Sequence, residues 1–329
     1  MQGKLVKESA TVMSTDLQTQ EKALVSIAIP TMNRRHDLPT SIDSVLSQNY
    51  QNIELIISDN GSTDDTPEFC RNLAEYDSRV KYIRHEKNLG LIPNWNYSLH
   101  ASSGKYFMWL GDDDWLEPDT IKTYVNFLEA NPEFSLVSGE ILYWQEGKCV
   151  RLEKGLSQED GNPVSRSSSY YGKVIDGAMV YGLCRADLAK RIEQENGIGP
   201  DWHFVAAMAF QGKIKQLDFI SYNKVLGGNS ASYKRYAQIM GVNEIWGYAP
   251  FIKIALDTLE VVKHKYPVYQ SLSRPKRSML AYQAFLGVLK NFYINRYPYI
   301  IGGKFLRAVG IKTPNEKKIE DLQEFVKQI

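Results

Sequence analysis

A mostly parallel β-sheet flanked by helices is the architecture that the sequence predicts, and three observations carry the expectation. From residue 24 onward, short apolar β-rich runs alternate with helical stretches, the pattern of an α/β protein whose sheet is covered by helices. Pro39, Pro67 and Pro93 fall where those helices should begin, positions at which a missing N–H costs nothing and a fixed φ helps. The 329 residues are 43% apolar and 23% charged, enough for one large α/β domain with an appendage or for two domains.

The first strand is read in LVSIAI (24–29), followed by ELIIS (54–58), VKYIR (80–84) and KYFMWL (105–110). Helices are expected over 38–48, 65–76 and 93–102, and a fourth over 118–130 opens at Pro118 and ends before a strand at 134–144. Residues 145–172 are polar and contain Gly and Ser, which predicts a long excursion that covers something. GAMVYGLC (177–184) returns to a strand-like run and RADLAKRIEQ (185–194) to a helix. NGIGPDWHFVAAMAFQG then reads as a glycine-rich turn into an amphipathic helix, with Asp201 at its cap or first turn. The expected division is a flexible polar leader (1–22), an α/β domain (23–240) and a helical C-terminal extension (241–329).

A net charge of +1 gives no electrostatic case for nucleic acid as a partner. Cys70, Cys149 and Cys184 are far apart and lack metal-ligand spacing, which suits a reducing, cytoplasmic compartment. The leader lacks the apolar core of a signal peptide, and no run is apolar for long enough to predict a transmembrane helix.

In such sheets ligands bind beyond the carboxyl ends of the strands. The loops there read PTMNRRHD (30–37), DNGSTDD (59–65), HEKNLGLIP (85–93) and GDDDWLE (111–117). Asp112, Asp113 and Asp114 repel one another unless water, donors or a cation intervene. Hard carboxylate oxygens without a nearby Cys or His suit Mg²⁺ or Mn²⁺, which take one or two protein carboxylates and complete their shell from water and phosphate. The alternative is an acidic lead into the helix at Pro118. Asp59 and Asn60 similarly read either as a strand-ending turn or as part of the same site.

VSIAIPTMNRRHDLPTSIDSVLSQNYQNIELIISDNGSTDDT, with NLGLIPNWNYSLHASSGKYFMWLGDDDWLEPDTI, resembles glycosyltransferase family 2 of the GT-A fold, over roughly residues 24–235. The resemblance implies an inverting, divalent-metal-dependent enzyme. It would move a sugar from a nucleoside diphosphate donor, UDP-type favoured, to a hydroxyl of a glycan or lipid-linked glycan in cell-envelope or surface-polysaccharide synthesis, in the cytoplasm or at the inner face of the membrane. It assigns the nucleotide to Pro30, Thr31, Asn33, Arg34, Asp59 and Asn60, with Asn60 where an Asp often meets uracil. It places the metal on Asp113 with Asp114, and the ribose on Asp112; Gly111 stands where many members have an Asp. Asp201 falls on the general base. An ordinary Asp titrates near 3.9, and a helix N-terminus should lower that further, so the expectation is a weak, ionised base; the alternative is a helix cap.

Gly227, Gly228, Ser230, Ser232, Lys234 and Arg235 form either a mobile lid on the diphosphate or an ordinary loop. Trp95 and Trp202 either stack on acceptor sugars or are buried aromatics, and His203 reads as a helix-face residue. Residues 275–312 mix apolar, aromatic and basic side chains at helical spacing; they either pack on the α/β domain or a second subunit, or make peripheral membrane contact. A glycan-binding or assembly subunit that keeps the fold without catalysis is a second reading, against which Asp113 and Asp201 argue. The glycine-free PTMNRRHDL turn leaves no place for a dinucleotide fingerprint or a P-loop.

Overall fold

The computed structural model describes residues 22–227 and 232–296. The polar leader up to residue 21, Ser230 with its neighbours, and the chain from 297 onward lie outside the described residues. β1 (Val25–Thr31), α1 (Leu38–Leu46), β2 (Ile53–Asp59), α2 (Thr66–Tyr76), β3 (Val80–Arg84), α3 (Leu91–His100) and β4 (Tyr106–Trp109) follow one another as the alternating pattern requires. β1, β2, β3 and β4 pair in parallel in the spatial order β3-β2-β1-β4. The chain therefore adds strands on one side of β1 and then returns to its other side. The crevice beyond β1 and β4 is a topological switch point, where such sheets hold ligands.

Beyond β4 lie β5 (Trp115–Leu116), α4 (Thr120–Ala130) and β6 (Phe134–Gln145). The polar excursion is more ordered than expected. β7 (Lys148–Glu153) turns back on β6 through Glu146 and Gly147, both at positive φ, and α5 (Pro163–Lys173) follows. Asn162 caps α5 by accepting from the N–H groups of Val164 and Ser165. The strand-like run at 177–184 is mostly a 3₁₀ turn (Gly177–Tyr181), leaving β8 (Leu183–Arg185), and the helix expected over 185–194 is the single turn α6 (Ala186–Ala189). α7 (Pro200–Gln211), β9 (Lys213–Val225), α8 (Tyr233–Ile239), α9 (Pro250–Glu260) and α10 (Arg274–Leu289) complete the described chain. β8 runs antiparallel between β4 and β6, and β9 joins β6 to β5, so the sheet is parallel in its first half and mixed in its second.

Alternation along the strands builds a core on each face. Val25, Ile27 and Ile29 of β1 and Met108 of β4 meet α1 and α4, while Ala28, Phe107 and Trp109 face the other way onto α3 and α7. α7 is buried on nearly every side rather than amphipathic, because the sheet covers one face while α5, Phe251 of α9 and Tyr269 of the turn Pro267–Ser271 pack on the other. Its N-terminus is thereby held at the floor of the crevice.

Candidate active site

Backbone topology brings the loops after β1 and β4, the 3₁₀ turn and the start of α7 around one cleft of about 590 Å³. Pro30, Thr31, Arg34, Asp112 and Asp113 line it, as do Asp176 and Asp201.

The three aspartates differ sharply. The Thr31 hydroxyl donates to Asp112 Oδ2 at 2.8 Å. Arg34 sets Nε 3.8 Å from Asp112 Oδ1 and Nη2 3.9 Å from Asp113 Oδ2. Burial and then its neighbour Asp113 nevertheless push Asp112 up to about 7, against the pull of Arg34, and Asp113 is likewise raised by burial and by Asp114. Arg34, with Lys224 acting on Asp113, undercompensates this pair. Asp114 is fully buried, and both of its oxygens are occupied. The Tyr222 hydroxyl donates to Oδ2 at 2.7 Å, Lys224 Nζ lies 3.4 Å from the same oxygen, and the Val225 N–H donates to Oδ1 at 2.8 Å. Asp114 borders the cleft and ties the loop to β9. The glycine at 111 has the same origin: a Cβ there would lie 2.4 Å from Asp114 Oδ2.

The expected base-binding residues also separate. Pro30, Thr31, Arg34 and Asn60 line the cleft, whereas Asn33 and Asp59 do not. Asp59 is fully buried beneath it, accepting from the Ser62 N–H at 2.8 Å and the Tyr82 hydroxyl at 2.6 Å. Asn33, at positive φ, accepts from the Thr63 N–H at 2.8 Å and so braces the first loop on the second. Asn60 is committed to the third loop, donating to Asn88 Oδ1 and the Gly90 carbonyl and accepting from the Leu89 N–H. Asn33 and Asp59 thus position the loops that form the cleft wall, a correction to their expected contact with the nucleotide.

Asp201, on the same cleft, reverses its sequence-based expectation. Burial, followed by the negative charge of Asp176, pushes it up to about 7, outweighing the N–H groups at the helix start. Its carboxylate lies on Gly177, where a Cβ would be 1.5 Å from Oδ2. Asp176 is itself held: Tyr143 donates to its Oδ2 at 2.8 Å and Arg151 at 2.6 Å, and its Oδ1 accepts from the Ala178 N–H at 3.1 Å. The Arg151 guanidinium stacks 3.7 Å from the Tyr143 ring. Sequence reading missed Tyr143, Arg151, Asp176 and Lys224, all of which line the cleft. The Asp176–Gly177 pair, an acid that caps a tight turn, was the one local signal.

Trp95 and Trp202 both border the cleft but are packed aromatics. Trp95 stacks on Trp109 at 5.2 Å, and Trp202 is buried against Phe251 and Phe292. α8 turns Tyr233 and Tyr236 to the cleft, while Lys234 pairs with Glu244 at 3.5 Å and Arg235 is exposed away from the lining. Neither Lys234 nor Arg235 lines the cleft. His203 is buried in α7, 2.9 Å from the Tyr171 hydroxyl.

A family model described as Glycosyl transferase family 2 matches residues 26–190. The chain is 31% identical over 150 residues to the GalNAc(5)-diNAcBac-PP-undecaprenol beta-1,3-glucosyltransferase of Campylobacter jejuni, a match covering 45% of this chain and 48% of that one. It spans less than half the length of the curated relatives it matches. Among solved structures it is similar to S. aureus TarS 1-349 in complex with UDP-GlcNAc, with a TM-score of 0.57 at 17% identity over 82% of this chain and 73% of that one. It is also similar to the mannosyltransferase PcManGT of Pyrobaculum calidifontis in complex with GDP-Man and Mn²⁺, with a TM-score of 0.54 at 16% identity over 92% and 84%. At these identities the likeness is one of fold.

Proposed function

The chain belongs to glycosyl transferase family 2, and from that premise we propose that it transfers a sugar, with inversion, from a nucleoside diphosphate sugar to a hydroxyl of a glycan or lipid-linked glycan. The observation that carries the reading is one cleft lined by both an undercompensated Asp112–Asp113 pair and a carboxylate raised towards neutrality, Asp201.

Pro30, Thr31, Arg34 and Asn60 form the nucleotide side, with a UDP-type donor favoured. Asp113, with Asp112, fits a hard divalent cation, because both border the cleft and their carboxyls stay raised despite Arg34, at 3.8 and 3.9 Å, and the charge of Lys224 on Asp113. Mg²⁺ and Mn²⁺ both accept two carboxylates and draw the remaining ligands from water and diphosphate. Such an ion would neutralise charge on the departing diphosphate. Lys224, beside Asp114 and Tyr181, lends positive charge to the same wall.

Asp201 then takes the proton of the acceptor hydroxyl as its oxygen bonds to the anomeric carbon and the carbon–oxygen bond to the diphosphate breaks. A base titrating near the working pH suits this task better than an ordinary Asp. Asp176, already engaged by Arg151 and Tyr143, leaves Asp201 as the available carboxylate on that wall, which supports a single displacement rather than a double one.

Thermal unfolding with a panel of nucleoside diphosphates, with and without Mn²⁺, tests the donor site: at a hundredfold excess over Kd a true ligand adds about 2.7 kcal/mol. Absence of any shift overturns the assignment. Asp201→Asn should abolish transfer and leave that shift in place; loss of the shift would make Asp201 a structural cap.

A further inference from the structure

We propose that the outer face of α10 docks on an anionic lipid surface, the helix lying along the bilayer rather than crossing it. α10 buries Leu280, Ala281, Ala284 and Val288. On its opposite side, at spacings of three and four, Met279, Tyr282 and Leu286 remain 51%, 58% and 44% exposed. Helical spacing puts Lys276 one turn before Met279 and Lys290 one turn after Leu286 on that same face, and both are exposed. The apolar stripe is thus bounded at both ends by lysine.

The stretch of chain that contains α10 carries one sign of charge, although the adjoining α9 holds Asp257 and Glu260. Val261 to Arg296 holds seven lysines and arginines and no aspartate or glutamate, in a chain whose net charge is only +1. An amphipathic helix with aliphatic and aromatic residues on one side and lysines beside them is built for the headgroup boundary, and acidic lipids attract each cation. A second copy of the chain is a poorer occupant, because a two-fold contact would set this basic stripe against itself. No helix among the described residues is long and apolar enough to cross a membrane.

Flotation of the full chain with vesicles tests the proposal. The protein should float with phosphatidylglycerol and phosphatidylcholine in equal parts and not with phosphatidylcholine alone, and high salt should weaken binding. Lys276→Gln with Lys290→Gln should weaken it about 25-fold, at about fivefold per lysine. Tyr282→Asp with Leu286→Asp should abolish it, with nucleotide-induced thermal stabilisation unchanged in both variants. Equal binding to neutral vesicles, no binding to acidic ones, or full binding by the lysine variant overturns the proposal. So does a dimer in solution that the Tyr282 and Leu286 substitutions dissociate. Lipid binding is read independently of transfer, so failure here leaves the transferase reading standing, and the converse also holds.

Discussion

Asp201 and Asp176 share one short stretch of wall, and the charge of one sets the behaviour of the other. The unfolded chain titrates Asp201 near 3.8 and the folded cleft holds it up to about 7. A base must be deprotonated, so kcat/KM for transfer should rise with pH through about 7 and level off above it. Asp176→Asn removes a negative neighbour, and the acid limb should move to lower pH; an unmoved limb would show that Asp176 does not act on the base. The stability consequence has the opposite sign. A carboxylate raised on folding favours the fold below pH 4 and loses that contribution as pH climbs to 7. Asp201→Asn should therefore melt higher than the parent at pH 8 and no higher at pH 4. The acidic triplet offers a second contrast. Asp114→Asn gives up charge-assisted bonds in a fully buried position and should cost about 1.5–3 kcal/mol of stability. Asp113→Asn relieves the burial and repulsion that raise its carboxyl, so it should not lower the melting temperature at pH 8, and it should weaken metal-dependent nucleotide binding by at least about tenfold. The sequence showed the triplet plainly and not this division of labour, because Tyr222 and Lys224, which capture Asp114, lie on a strand more than a hundred residues away.

At the level of elements, legibility followed the type of side chain that each element buries. β1 to β4 present aliphatic alternation and were readable to within a residue or two, as were α1, α2 and α4 behind their prolines. α5 escaped because it buries Arg166, Ser167, Tyr170 and Tyr171 rather than leucines, so no apolar stripe announces it. α7 was located but misread as amphipathic, since the helices that cover its outer face come from distant sequence. Arg166 shows what α5 contributes. Its Nε donates to the carbonyls of Ala209 and Gly212 at 2.7 and 3.1 Å, and Nη2 to that of Phe210 at 3.2 Å. A buried guanidinium thus closes the C-terminus of the helix that carries Asp201, where carbonyls lack intrahelical partners. Arg166→Leu leaves several of them unpaired and should cost about 3 kcal/mol or more. Urea unfolding checks this as a lower midpoint with an unchanged slope; a loss under about 1 kcal/mol would mean that water replaces the guanidinium.

For the whole molecule, the question is whether the C-terminal helices are a separate unit, as the change of sequence pattern near residue 241 suggests. One continuous buried cluster joins Ala28, Ile56 and Phe107 of the sheet to α7 and onward to Ile254, Tyr269, Leu280 and Val288. α7 has no solvent-facing side of its own to fall back on: Trp202 through Phe210 are all buried. Removing the chain from Pro250 onward would open that face to water, and each large side chain uncovered forfeits about 1.5–3 kcal/mol. Loss of two or three such groups rivals the total stability of a domain, about 5–15 kcal/mol. We therefore expect the full chain to unfold in urea as one transition, with circular dichroism and tryptophan fluorescence coincident. A chain ending at residue 249 should aggregate or show no cooperative transition. If the shortened chain instead unfolds cooperatively and still gains stability from a nucleoside diphosphate, the helices are an independent unit and the floor of the cleft stands without them. The expected result would tie the lipid-facing surface of α10 to the cleft through α7, so that a membrane contact on one side and the proposed base on the other belong to a single cooperative body.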